Sequence, residues 1–215
     1  MSDRLTEDGT YATPSILMAR TSATEVEFFQ MDSLSRALIT MSMEHHEVHE
    51  GHAFAAHYSQ AVSDTNDRSI IAFKTGAITK EVHLIFAASS SAPATAYILE
   101  APTITDDTGA PLTIFNRKRT GGAVSTVIDT SQSPDVVGQA MFFTEITMGS
   151  VTAGTTLDTI PLVAGAGPKA IGGVSRGTQE WILKADTLYA FVVNSSDDDD
   201  NIHRLQLDWY EHTAR

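Results

Sequence analysis

The sequence predicts an all-β protein, an antiparallel β-sandwich or jelly roll carrying an extended N-terminal arm. Three observations predict it. In the last segment, 202–212, Leu205, Leu207 and Trp209 occupy every second position with Gln206, Asp208 and Tyr210 between them. That is the period of a strand with one face buried. About ten segments with strand character follow one another between residues 37 and 211, separated by turn residues. Nowhere do strands alternate with helical patterns as in a parallel sheet.

Residues 1–24 are polar and turn-rich, with Gly9 and Pro14 and a short apolar patch at Ile16, Leu17 and Met18. They read as an extended arm, and residues 1–35 together make an N-terminal region ahead of a domain of 36–215. Residues 25–36 fit a short helix or a strand equally well. From Ala37 the pattern sharpens: Ala37, Ile39, Met41 and Met43 alternate with Leu38, Thr40, Ser42 and Glu44, which predicts a strand. Glu50-Gly51 then reads as a hairpin turn and 52–62 as the returning strand. Further strands are predicted at 68–74, 80–87 and 95–105. Asp106-Asp107-Thr108-Gly109 marks a turn, and strands follow at about 111–117, 123–128 and 139–148. The stretch 150–178, rich in Gly, Thr and Ala, reads as a long loop and a contact surface. The final strands are 179–184, 187–194 and 202–211, with Asp197–Asp200 as the hairpin loop between the last two.

Composition narrows the functional classes. The chain has 215 residues, of which 42% are apolar, and it has no cysteine, so neither disulfides nor a thiolate metal site can form. No apolar run approaches the ~20 residues of a membrane span. The N-terminus lacks the apolar stretch of a secretory signal. The net charge is −13, from 27 acidic and 14 basic residues. Such a surface repels nucleic-acid backbone and anionic membrane, so neither is an expected partner.

Several constellations invite chemistry and are read as structural. His45, His46, His49 and His52 lie in H-H-E-V-H-E-G-H, which misses the H-E-x-x-H pattern because position 50 is Glu. On a strand, His45, Glu47 and His49 would point one way and His46 and Val48 the other, so the histidines are expected at a hairpin or subunit contact. G-V-S-R-G (173–177) matches G-x-S-x-G, but a Gly/Pro-rich loop precedes it where a nucleophile elbow needs a buried strand. G-A-G-P-K-A-I-G-G (165–173) lacks the Lys-Ser/Thr ending of a phosphate loop. Asp197–Asp200 lacks calcium-loop spacing. No catalytic residue, metal site or cofactor is expected, which points away from an enzyme. Arg117, Lys118 and Arg119 form a basic cluster in an acidic chain, a candidate docking contact for an acidic partner surface. Tyr11, Ile16, Leu17 and Met18 are the candidate anchor in the arm. Phe142, Phe143, Trp181, Tyr189, Phe191 and Trp209 are expected in the core.

Three pieces carry a resemblance: R-A-L-I-T-M-S-M-E-H-H-E-V-H-E-G-H-A-F (36–54), T-I-F-N-R-K-R (113–119) and L-Q-L-D-W-Y-E-H (205–212). In order and position they resemble the head decoration, or cement, proteins of tailed bacteriophages. His46, His49 and Gly51 match the first motif, the Asn-Arg-x-Arg patch the second, and the closing Trp-Tyr-Glu-His strand the third. The resemblance implies a jelly-roll sandwich on the outer capsid surface of a virion, made in the host cytoplasm. It also implies the major capsid protein as partner and a dimer or trimer of this chain. It transfers no catalytic residue. Two other classes stay open at this point: a tail-associated or host-surface glycan-binding sandwich, and a cupin-like metal enzyme using the histidines of 45–57.

Overall fold

The computed structural model describes residues 18–20, 26–28, 43–76, 80–104, 110–122, 125, 140–143, 151–162, 169–171, 180–196 and 200–213. The chain divides into two compact units, Met1–Ser42 and Met43–Arg215. In the first, β1 (Met18–Arg20) pairs antiparallel with β2 (Val26–Phe28), with Met18 opposite Phe28. A strand thus lies within the arm expected to be extended, and part of the ambiguous 25–36 segment is strand.

The second unit, over its described residues, is all-β apart from one helix. It comprises α1 (Met43–Glu50), β3 (Ala53–Val62), β4 (Arg68–Lys74), β5 (Lys80–Ser90), β6 (Ala94–Glu100), β7 (Thr103–Ile104), β8 (Ala110–Pro111) and β9 (Phe115–Asn116). These are followed by β10 (Ala140–Phe143), β11 (Val151–Thr152), β12 (Thr155–Leu162), β13 (Lys169–Ile171), β14 (Trp181–Leu183), β15 (Leu188–Ser195) and β16 (Asn201–Thr213). One sheet has the order β12-β6-β15-β4-β10-β8 and the other β13-β5-β16-β3-β9, with β14 also paired to β5. Every pairing among the described residues is antiparallel, and the pairs tell how the chain is wound. β3 pairs with β16, β4 with β15, β5 with β14 and β13, and β6 with β12. These are the rungs of one long hairpin. The cross-pairs β15–β6 and β16–β5 then knit it into two sheets, and a hairpin wrapped this way is a jelly roll.

The core lies between the two sheets. Phe54, Leu84, Leu205, Leu207 and Trp209 on one sheet face Ile71, Phe73, Ile98 and Phe191 on the other, all buried. Trp209 stacks on Phe54 at 5.6 Å, and Phe86 reaches across to Phe191 at 5.3 Å. Each such side chain contributes roughly 1.5–3 kcal/mol on burial. The apolar runs I-I-A-F in β4 and A-F-V-V in β15 are continuous rather than alternating because both faces are covered. Ile70, Ala72, Leu99, Ala190, Val192 and Val151 form a second buried cluster, with Ile104 against it.

Four expectations are corrected. The histidine run is helix, not strand, at 43–50; residues 37–42 lie outside the described set. Glu50-Gly51 is the end of that helix rather than a hairpin turn. Gly51 takes φ 84°, its N–H bonds Val48 O at 3.2 Å and the His52 N–H bonds Glu47 O at 2.8 Å. This pair of bonds is a Schellman cap, which favours glycine in the left-handed region. The 150–178 stretch is not one loop, since Thr155–Leu162 forms β12 on the edge of β6. Its threonines are β-branched and suit a strand, and Pro161 is tolerated because the strand is an edge. Finally, β15 and β16 are not paired as a hairpin but belong to different sheets.

The remaining strands that fall among the described residues hold with adjustments. The 95–105 strand spans 94–100, stops where Ala101 takes φ 51°, and resumes as the two-residue β7. The 111–117 strand is split between β8 and β9, which sit in different sheets. The expected 123–128 strand lies outside the described residues except Ser125, and only 140–143 of the 139–148 strand is described. Among the described residues, no helix is long and apolar enough to cross a membrane.

Candidate functional site

The segments 43–54, 115–119 and 205–212, far apart in sequence, meet at one corner of the β5–β16–β3 sheet. Tyr210 pairs with Ala53 and Trp209 with Phe54, while Phe54 also pairs with Asn116. Backbone bonds close the corner: Arg117 N–H donates to Ala53 O at 2.8 Å and Glu211 N–H to His52 O at 3.0 Å. Asn116 fixes the loop twice. Its Nδ2 donates to Gly51 O at 2.7 Å and its Oδ1 accepts the Lys118 N–H at 2.8 Å. Gly122 closes against that amide so tightly that a Cβ there would lie 2.5 Å from Asn116 Cγ.

Helix α1 packs on β16 and β3 at this corner. Glu47 is buried on it and pairs with His52 at 3.0 Å and with His46 at 3.6 Å. His45 and His49, one turn apart, stack at 4.7 Å with their Nε2 atoms 3.0 Å apart. Arg117 bridges to Glu44 at 3.0 Å, tying loop to helix. Of the three expected docking cations, Arg117 is thus held internally. Among the described residues no ion pair engages Lys118 or Arg119; Arg119 is exposed and Lys118 half-buried. Phe115 is exposed beside them and stacks on His57 at 5.4 Å. The corner therefore presents a short basic and aromatic ledge on a rigid base.

The opposite end of the sandwich carries a buried polar chain. Ser69 Oγ–H donates to Gln60 Oε1 at 2.9 Å, so its lone pair takes the proton on His203 Nδ1 at 3.0 Å. His203 Nε2 then accepts from Ser195 Oγ at 3.1 Å, and Ser195 accepts from Asn201 Nδ2 at 3.4 Å. Every proton is placed with a neutral imidazole. Burial pushes the His203 pKa down to about 4, against a smaller opposing pull from the Asp67 carboxylate. His203 is fully buried, so this serine–histidine set offers a substrate no approach and serves as structure.

A third cluster, on the outer face of the β5–β16 pair, joins Glu81, His83 and His212, with Glu180 and Tyr210 behind them. Sequence reasoning did not single it out. The signal that could have found it is the pair of i, i+2 positions Glu81 and His83 on one strand, matched with His212 near the end of another.

Tyr11, Ile16 and Leu17 of the arm lie outside the described residues, while Met18 begins β1. G-V-S-R-G (173–177) also lies outside them, as does most of 165–173, of which 169–171 form β13. Of Asp197–Asp200 only Asp200 is described. The histidines of 45–57 form no three-ligand group among the described residues: they are spread over α1, its cap and β3. Trp209, Tyr189 and Phe191 are core as expected, and Trp181 packs against that core. The side chains of Phe142 and Phe143 are not among those described.

Comparison with protein-family models, with curated protein sequences and with solved structures found no match in any of the three.

Proposed function

We propose that this chain is a structural protein of a tailed-phage virion. In this reading it is a decoration, or cement, protein that binds the outside of the major capsid shell and reinforces it. The observation that carries the reading is the convergence of 43–54, 115–119 and 205–212 on one corner. These segments fall within the pieces 36–54, 113–119 and 205–212 that carry the resemblance, and the fold assembles them into one ledge. The jelly roll supplies a stiff support, and its interior beneath the ledge is packed with Phe54, Leu207 and Trp209.

The physical logic is attachment rather than chemistry. Arg119 and Lys118 meet an acidic patch on the capsid protein, with Phe115 as the apolar contact beside them. The net charge of −13 suits the side of a shell away from packaged DNA. A protein that binds the assembled shell and not its free subunits stabilises the shell by mass action. Copies joined as a dimer or trimer gain avidity without stronger single contacts, and the arm, with Tyr11, Ile16, Leu17 and Met18, adds reach.

The test is co-sedimentation of the purified protein with assembled capsid shells that lack it. Lys118→Glu combined with Arg119→Glu is expected to weaken shell binding at least about tenfold while leaving the melting transition in place. Shell binding that is unchanged by the double charge reversal removes the ledge from the interface.

A further inference from the structure

Glu81 and His212 lie directly opposite each other on β5 and β16, and so do His83 and Tyr210. The two imidazoles meet through their Nε2 atoms at 2.8 Å. What lies between them follows from their other nitrogens. His212 Nδ1 sits 2.8 Å from the carbonyl oxygen of Thr213. A carbonyl only accepts, so that nitrogen carries a proton. His83 Nδ1 sits 3.1 Å from Glu180 Oε2, which also takes the Tyr210 hydroxyl proton at 3.3 Å. An ionised carboxylate only accepts, so with Glu180 in that form His83 Nδ1 is a donor as well. In that tautomer each ring aims an Nε2 lone pair at the other. Two lone pairs at hydrogen-bond distance repel unless something positive stands between them. Glu81 Oε2 adds a negative oxygen 3.7 Å from His83 Nε2 and 3.9 Å from His212 Nε2.

We propose that Glu81, His83 and His212 form a binding site for a divalent transition-metal ion of the zinc type. Two imidazoles and one carboxylate are a ligand set such ions take, at ~2.0–2.1 Å from nitrogen and ~2.0–2.2 Å from oxygen. Nitrogens 2.8 Å apart both reach an ion at that distance on the side facing Glu81. The Glu81 side chain is 43% exposed and has room to draw in. Around a tetrahedral ion, neighbouring ligand atoms stand ~3.3 Å apart, so the carboxylate needs to close, and the two nitrogens to part, by about half an ångström each. The supporting layer is already in place. Carboxylate and carbonyl acceptors on the two Nδ1–H groups fix ring orientation and tautomer in the way metal-bound histidines require. His83 packs between Tyr210 at 4.7 Å and His212 at 4.6 Å, which holds it still. The exposed side by Glu81 leaves a coordination position for water. An ion here clips the end of the final strand to β5, and it is independent of the capsid reading.

The experiment uses untagged full-length protein freed of metal with a chelator. It is titrated with zinc chloride by calorimetry and with cobalt(II) by visible absorption. One equivalent of zinc per chain is expected, with a cobalt d–d band of a low-coordinate nitrogen–oxygen site. His212→Ala, near the end of the last strand, is expected to weaken zinc binding at least about 100-fold, and Glu81→Gln about tenfold. Far-UV circular dichroism unchanged from wild type shows that both variants fold. His45→Ala combined with His49→Ala, which removes the helix pair, is expected to leave the affinity unchanged. Absence of binding at millimolar zinc overturns the proposal and leaves a shared proton between the rings. Binding that survives His212→Ala, or that disappears with the helix pair, overturns it equally.

Discussion

Acid should loosen this fold through His203, and the size of the effect can be worked out. The residue is fully buried, and its neutral form satisfies Ser69 and Ser195 at once. Its pKa is about 4 in the folded chain against an ordinary value of 6.5. The unfolded chain therefore binds more protons between those values, and stability falls as the pH drops through that window. A difference of that size corresponds to about 3 kcal/mol, fully present above pH ~6.5 and lost by pH ~4. The comparison is with His203→Gln, which keeps a donor and an acceptor but does not titrate. Urea unfolding of both proteins at intervals from pH 7.5 to 4 isolates the residue, because every carboxylate is common to the two. Glu100, held below the usual carboxylate range chiefly by its hydrogen bond from Lys184, cancels in the difference. At pH 7.5 the variant should be about 1–3 kcal/mol less stable, through its poorer hydrogen bonds. The difference should move by about 3 kcal/mol in the variant's favour by pH 4, which closes or reverses the gap. Parallel pH profiles for the two proteins would refute the assignment of a neutral, desolvated imidazole.

Trp209→Ala removes the stack on Phe54 and the indole N–H that donates to buried Glu211 at 3.2 Å. It should cost roughly 3–5 kcal/mol by denaturant unfolding, and a wild-type midpoint would show that the tryptophan is not a core anchor. Tyr189→Phe deletes a hydroxyl that accepts the Lys184 N–H at 2.9 Å and donates to Glu100 at 3.0 Å. A loss of about 1–2 kcal/mol is expected in the same assay. Arg117→Ala breaks an exposed bridge to Glu44 and should change stability by no more than about 1 kcal/mol; a larger loss would make the bridge a main fastener of the corner. Deleting residues 1–24 should leave the main melting transition of 43–215 nearly unchanged but weaken co-sedimentation with capsid shells. Equal binding would make the arm a passive tail.

The fold class was legible because strand periodicity survives wherever one face is buried. Leu205, Leu207 and Trp209 point inward as their spacing requires. Ile202, out of phase with them, is exposed at 46%, and the buried polar residues Asn201, His203 and Glu211 keep the inward phase at the two ends. The burial of β4 and β15 on both faces matches their unbroken apolar runs, a signal that their prediction as strands did not use. The histidine run misled because its alternation was continued from 37–43. Over 43–50 the good helix formers Met and Glu and the glycine at 51 describe a capped helix instead. β12 was hidden by composition: threonines with Gly154 before them and Pro161 inside read as loop, though an exposed edge strand tolerates all three. The basic loop was found by charge alone. That Arg117 is held by Glu44 depends on the helix lying beside the loop, which no local pattern encodes. The Glu81–His83–His212 cluster is a matter of register between β5 and β16, and register over 129 residues of separation is set by the whole winding of the jelly roll.

The capsid reading is tested most directly by immunogold electron microscopy, with antibody raised against this chain, of tailed-phage particles purified from cells in which the chain is made. Gold over the outer surface of intact heads, at many copies per particle and absent from tails, is the predicted result. Label confined to tails, or particles that carry none, would contradict it.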